Sequence, residues 1–135
     1  MEKQLFHQIH QLSRKLTKKL NEALLPFGLY GAQWSVLYVL KESGTLTQKE
    51  LCDYLSVEAP PMTRTIKRLT LQGYVAFEYG EDRRKKYIRL TPKAVEMFPI
   101  WDHAVAQMNR NLVQSLPEAS RQELSTLISL WLRQM

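Results

Sequence analysis

The stretch Pro60-Pro61-Met62-Thr63-Arg64-Thr65-Ile66-Lys67-Arg68-Leu69-Thr70-Leu71-Gln72-Gly73, running on into Tyr74-Val75-Ala76-Phe77-Glu78-Tyr79, decides the fold. On a helix turning roughly 100° per residue, Met62, Ile66 and Leu69 fall within about 60° of one another and form a buried stripe. Pro60, Pro61, Arg64, Lys67 and Arg68 occupy the opposite half, with Thr63 at the border. Proline costs little at a helix start, where the N–H groups have no intrahelical partner, and Gly73 supplies the stop. After Gly73 the period changes. Tyr74 to Tyr79 and Lys86-Tyr87-Ile88-Arg89-Leu90 alternate and are rich in aromatic and branched residues, so they read as two strands. The turn between them, Gly80-Glu81-Asp82-Arg83-Arg84-Lys85, makes a β-hairpin with a basic tip.

Upstream, Thr47-Gln48-Lys49-Glu50 is a capping box that opens a short helix through about Leu55, with Leu51 and Leu55 facing inward. Two short helices followed at once by a hairpin read as a winged helix-turn-helix. A further helix spans Ala32 to Glu42, with Trp34, Leu37, Tyr38 and Lys41 in register, and stops at Ser43-Gly44. The first segment places Leu5, Ile9, Leu12, Leu16, Leu20 and Leu24 at helical spacing and ends at Pro26 and Gly28. Beyond the hairpin, Thr91-Pro92 starts a helix carrying Val105, Met108, Leu112 and Leu116, with Pro99 expected to kink it. Pro117-Glu118 opens a last helix carrying Leu124, Leu127, Ile128, Trp131 and Leu132. The long terminal helices have no sheet to cover. Their stripes must meet each other or a second copy of the chain. The expected architecture is mainly α with a small β-hairpin wing, one domain over residues 1–135. Residues 29–91 form the winged lobe; 1–28 and 92–135 form a helical base.

Composition narrows the class. The chain has 135 residues, 44% hydrophobic and 24% charged, as a folded domain of ordinary size does. One cysteine, Cys52, excludes an internal disulfide and any multi-cysteine metal site. No apolar run approaches the ~20 residues of a membrane span, and no signal-peptide core opens the chain. A cytoplasmic protein that makes no use of a membrane is expected. Nineteen Lys and Arg against thirteen Asp and Glu give a formal charge of +6. Residues 1–44 carry six basic and three acidic side chains, residues 45–90 nine and six, and residues 91–135 four of each. The excess therefore lies in the first two-thirds. It suits a polyanion such as nucleic acid, or simply a solvated surface.

The placement of the cations favours DNA. A helix with small groups near its start and Arg64, Lys67 and Arg68 further on suits the major groove, with Arg64 best placed for a bidentate guanine contact. Arg83, Arg84, Lys85 and Lys86 at a hairpin tip would repel one another unless they met an anion. The minor groove beside a docked winged helix attracts an inserted Arg. Asp82, two positions before Arg84, can orient its guanidinium in a bidentate pair.

Several segments together resemble the MarR-type transcriptional regulators. Leu29-Tyr30-Gly31-Ala32-Gln33-Trp34-Ser35-Val36-Leu37 is similar to that family's second-helix signature. Thr47 to Leu51 and Thr63 to Leu69 are similar to its helix-turn-helix. Gly73-Tyr74-Val75, Asp82-Arg83-Arg84 and Leu90-Thr91-Pro92-Lys93 correspond to the entry, tip and exit of its wing. The resemblance spans nearly the whole chain. It implies a homodimer held by the first helix and the last two, and a repressor on double-stranded DNA that is released by a small aromatic or lipophilic ligand or by oxidation. It also implies phosphate contacts from Thr47 and Gln48, major-groove positions for Pro61, Thr63, Arg64 and Lys67, and Arg84 in the minor groove, oriented by Asp82. Pro60 and Pro61 depart from the donors that many members carry there. Proline cannot donate, so contacts at that point are apolar or to shape. A two-fold dimer would require an inverted repeat with half-sites one turn, ~10 base pairs, apart.

The switch is less defined. The family's peroxide sensors carry their reactive cysteine in the first helix, where this chain has none, and Cys52 reads as a small core residue. His7, His10 and His103 lack the Cys or Glu partners of a zinc site, and no metal or cofactor is expected. Phe27, Trp34 and Tyr38 (with Phe6 and Trp101) line either a ligand cavity or ordinary core. An enzyme is disfavoured, since there is no phosphate loop, nucleophile elbow or apolar carboxylate pair. A winged helix used for protein contact, or an architectural DNA-binding protein, are the competing readings.

Overall fold

Pro26 and Gly28 break the first helix where the sequence requires it. In the computed structural model, which describes residues 1–135, α1 (Glu2–Leu24) gives way to a 3₁₀ turn (Leu25–Phe27), and Gly28 adopts a left-handed φ of 70°. There follow α2 (Gly31–Ser43), β1 (Leu46–Thr47), α3 (Gln48–Leu55), α4 (Ala59–Leu71), β2 (Val75–Tyr79), β3 (Lys86–Leu90), α5 (Pro92–Val113) and α6 (Glu118–Arg133). The sheet is antiparallel in the order β1-β3-β2, with Phe77 opposite Ile88 and Tyr79 opposite Lys86. The fold is a winged helix-turn-helix with long helices at both ends.

Two details differ from the sequence reading. The wing has a third strand, β1, whose Leu46 and Thr47 pair with Ile88 and Tyr87. Two residues are too few for alternation to show. Leu116 was expected on the face of α5, but that helix ends at Val113, so Leu116 lies in the turn before α6. Pro99 lies inside α5, which runs as one element from Pro92 to Val113.

One hydrophobic core joins the lobe to the base. Leu51, Met62, Ile66, Leu69, Val75 and Ile88 are buried at the centre of the lobe, as the stripe on α4 requires. The core continues through Leu37 and Trp34 to Ala94, Phe98, Trp101 and Val105 of α5. Trp34 stacks on Phe98 at 5.2 Å, and Tyr74 meets Trp101 edge to face at 4.7 Å. Each such side chain, removed from water, contributes about 1.5–3 kcal/mol. Helix α6 stands apart: none of its residues is buried, and it meets α1 through Phe6 and Trp131, 5.7 Å between centroids.

Candidate nucleic-acid interface

The start of α3 is fixed by Thr47 and Glu50. The backbone N–H of Glu50 donates to Thr47 Oγ1 at 3.1 Å, while the Thr47 backbone N–H and hydroxyl both donate to Glu50 Oε1 at 3.0 Å. These bonds, the backbone one foremost and the hydroxyl next, hold the Glu50 carboxyl below the usual glutamate range, against a small desolvation effect. Lys85 lowers it further by charge attraction, and the pairing of Thr47 with Tyr87 joins the start of this helix to β3 of the wing. The Thr47 hydroxyl, expected to meet a phosphate, is engaged within this cap. A phosphate only accepts hydrogen bonds, and the single proton of Thr47 Oγ1 is already given to Glu50.

Gln48 is the first residue of the same helix. Its Nε2 donates to Thr63 Oγ1 at 2.8 Å, and the Thr63 hydroxyl donates to the Ala59 carbonyl at 2.9 Å. Thr63 thus has no proton left for a base or phosphate. Gln48 keeps one N–H and its carbonyl oxygen free. Helix α4 starts at Ala59, one residue before Pro60, and Pro61, Arg64 and Lys67 are exposed along its outer face. The ion pairs of the chain are Lys19–Glu22, Arg84–Asp82 and Arg89–Glu78, so Arg64 and Lys67 are unpaired. Arg68 differs from the expectation. Its guanidinium sits 5.5 Å over the ring of Tyr30 at the start of α2, engaged with the lobe's own surface.

At the wing tip, Asp82 Oδ1 accepts from both the backbone N–H of Arg84 (3.0 Å) and its Nε (3.2 Å). Both bonds fall on one oxygen, so the expected bidentate fork is replaced by a closed turn that leaves both terminal guanidinium nitrogens free. Those two bonds, the backbone one first, lower the Asp82 carboxyl. The Arg84 side chain is 92% exposed. Arg83 and Lys85 are exposed beside it. Lys86 was expected at the tip; it is the first residue of β3, and its ammonium lies 5.2 Å from the Phe77 ring and 6.0 Å from the Tyr79 ring. It belongs to the face of the hairpin rather than to the tip cluster.

The candidate ligand residues do not converge. A groove of about 450 Å³ between α1 and α5 is walled by Leu12, Leu16, Val105 and Met108, with Trp34 reaching it. Tyr38 packs 6.1 Å from Trp34 but is half exposed and outside the groove, and Phe27 packs against the core from the 3₁₀ turn. Trp101 is fully buried in the core, and Phe6 pairs with Trp131. His7, His10 and His103 are exposed and gather no metal-binding cluster with other side chains. Cys52 is half-buried against the core. No single helix is long and apolar enough to cross a membrane.

The sequence model of the MarR family matches residues 27–85, the lobe just described. Over 130 residues the chain is 43% identical to an uncharacterized HTH-type transcriptional regulator, YwoH, of Bacillus subtilis (strain 168), covering 96% of this chain and 95% of that protein. The chain belongs to the MarR family. Its relatives in that family are transcriptional regulators, not enzymes, and it is a transcriptional regulator of the same kind. It is also 33% identical over 84 residues to the multiple antibiotic resistance protein MarR of Escherichia coli (strain K12), covering 62% of this chain and 58% of that one. A crystal structure of an E. coli MarR cysteine-to-serine mutant complexed with operator DNA superposes with a TM-score of 0.86 at 28% identity, over 95% of this chain and 93% of that one. A MarR transcriptional regulator from Methanosarcina mazei Go1, 22% identical, shares the fold with a TM-score of 0.89 over 99% of this chain and 90% of that one.

Proposed function

We propose that this MarR-family regulator acts as a homodimeric repressor that binds an inverted-repeat operator in double-stranded DNA and leaves it when a small aromatic or lipophilic ligand binds. Residues 29–91 are the DNA-binding lobe, and 1–28 with 92–135 are the dimerisation region. The observation that carries the reading is the meeting of three elements. Gln48 bonds to Thr63, joining the starts of α3 and α4, and Thr47 of the same cap pairs with Tyr87 of the wing. Unpaired Arg64 and Lys67 then lie along α4 and free Arg83 and Arg84 at the wing, a spacing suited to a major groove and its neighbouring minor groove. That the E. coli neighbour of the same fold is complexed with operator DNA supports DNA binding here.

In this reading Gln48, Arg64, Lys67, Arg83, Arg84 and Lys85 touch DNA. Pro61 touches shape or apolar edges, Thr63 and Asp82 hold their neighbours in place, and Arg68 touches DNA only if it leaves Tyr30. Leu5, Ile9, Leu12, Leu16, Leu112, Leu116, Leu124, Leu127, Ile128 and Trp131 form the dimer surface; nearly all of them are exposed on the single chain. The protein would work in the cytoplasm, at the nucleoid.

The test is fluorescence anisotropy on the duplex upstream of the protein's own gene and on a scrambled duplex, at two salt concentrations. A preference of about 10³-fold or more for the native duplex is expected of a sequence-specific regulator. Equal, salt-sensitive binding to both would favour an architectural role. Absence of binding to either would favour a protein-interaction module.

A further inference from the structure

We propose that Gln33 and Gln72 are positioning residues that lock the recognition helix α4 to the helical base and thereby set the spacing between the two operator half-sites. The inference rests on the DNA-binding homodimer proposed above. Gln33, on α2, is the one polar residue that is buried, 2% exposed. Its Oε1 accepts from the backbone N–H of Tyr30 at 2.8 Å, and its Nε2 donates to Gln72 Oε1 at 2.7 Å. Gln72 Nε2 in turn donates to the carbonyl of Gly28 at 2.9 Å, in the left-handed corner that ends the α1 region. Gln72 caps the C-terminus of α4, so a side chain at the very end of the recognition helix is held by the α1–α2 corner.

The same point is gripped from the opposite side. Lys93 Nζ donates to the Gln72 carbonyl at 2.9 Å, and Thr91 Oγ1 donates to the Gly73 carbonyl at 2.7 Å, both from the start of α5. Asn21 Oδ1 on α1 accepts from the Gly31 N–H at 2.6 Å and closes the chain of bonds onto the long first helix. The end of α4 is thus tied by directional bonds to the α1–α2 corner, to α2 and to the start of α5, and α2 is tied in turn to α1 through Gly31 and Asn21. Two of these, α1 and α5, carry the proposed dimer surface. The hydrophobic effect by itself is non-directional. An amide bonded on both sides tolerates only a few tenths of an ångström. One base-pair step moves a half-site by roughly 3.4 Å along the duplex, so a link of this kind is stiff enough to tell one spacing from the next.

The experiment starts from duplexes that the wild-type protein selects out of a random pool. The selected inverted repeat is then remade with its spacer one base pair longer and shorter, and also as a single half-site. Gln72→Met keeps the side chain's length but removes both of its bonds; Gln33→Met does the same in the interior. The wild type should prefer the selected spacing over either neighbour by about tenfold or more. Gln72→Met should reduce that preference to below about threefold, while its affinity for the single half-site stays within about twofold. An unchanged spacing preference in Gln72→Met would overturn the proposal. So would an equal loss on single and paired half-sites, which would mark a purely local role. If Gln33→Met does not fold, Gln72→Met at the helix end still decides the matter. Failure of the wild type to select any duplex would instead overturn the DNA-binding reading.

Discussion

Gln48 of α3 and Thr63 of α4 share a hydrogen bond of 2.8 Å, in which Gln48 is the donor and the Thr63 hydroxyl has already spent its own proton on Ala59. The pair therefore offers DNA one amide, held in a fixed orientation with its carbonyl oxygen and one N–H outward. That donor–acceptor pattern matches the N6 and N7 edge of adenine. Thr63→Val should loosen Gln48 and weaken operator binding by about 1 kcal/mol, roughly fivefold, although Thr63 itself donates nothing to DNA. In the Gln48→Ala background the same substitution should have almost no further effect. Anisotropy titrations of the two single variants and the double variant measure this coupling; strictly additive losses would mean that Thr63 acts independently of Gln48.

Asp82 yields an outcome of unusual sign. Removing a negative charge beside DNA ordinarily tightens binding. Here Asp82 holds both the backbone and the Nε of Arg84 on one oxygen, so Asp82→Ala frees the turn and lets the guanidinium wander. Affinity should fall, while the melting temperature hardly changes, because the pair is exposed. Tighter binding by Asp82→Ala would show that charge, not orientation, governs the wing.

Lys85 and Lys86 are neighbours in sequence but face different surroundings. Lys85→Ala should reduce the slope of log affinity against log salt by about 0.9, the loss of one phosphate contact. Lys86→Ala should leave that slope nearly unchanged, since its ammonium lies over Phe77 and Tyr79. Its effect should instead appear as a modest destabilisation of the wing, seen as faster amide exchange in β2 and β3.

The Thr47–Glu50 cap makes stability depend on pH in a defined direction. Glu50 ionises at lower pH in the folded chain than in the unfolded one. Its stabilising effect is therefore complete above the unfolded value, declines as pH falls through the folded value, and is gone below it. Glu50→Gln keeps an acceptor oxygen but loses the charge. The melting-temperature difference between wild type and Glu50→Gln should be constant near neutral pH and vanish in acid. A difference that persisted below the carboxylate range would have some other origin.

Much of this was legible in the chain because local chemistry and tertiary packing agree. Met62, Ile66 and Leu69 announced the buried side of α4, Thr47 and Glu50 the cap, and Thr91-Pro92 the start of α5; all three readings match the structure. The bonding state of the candidate site's side chains is not legible in the sequence, for physical reasons. Sequence shows which side chains can donate, but not which have already done so. Thr47 and Thr63 both looked free and are both occupied within the lobe. Arg68 and Lys86 looked like parts of a cationic run, yet each lies over an aromatic ring on a different element. Gln33 and Gln72 gave no periodic signal at all, because their pairing spans 39 residues.

The last relationship to test concerns α6, where Leu124, Leu127, Ile128 and Trp131 recur at helical spacing but none is buried. A stripe of this kind on a regulator expected to bind a two-fold operator calls for a partner, and a second chain would supply it twice over. Burying one leucine contributes about 1.5–3 kcal/mol, and a symmetric interface contains two copies. Leu127→Asp should therefore raise the dimer dissociation constant by roughly 10³-fold or more. Because Leu127 is outside the core, the lobe should remain folded and helical by circular dichroism. Sedimentation velocity should then report a monomer, and the affinity for a paired-half-site duplex should drop towards that for a single half-site. A Leu127→Asp protein that still sedimented as the wild type would remove α6 from the interface and leave the stripe on α1 to form it alone.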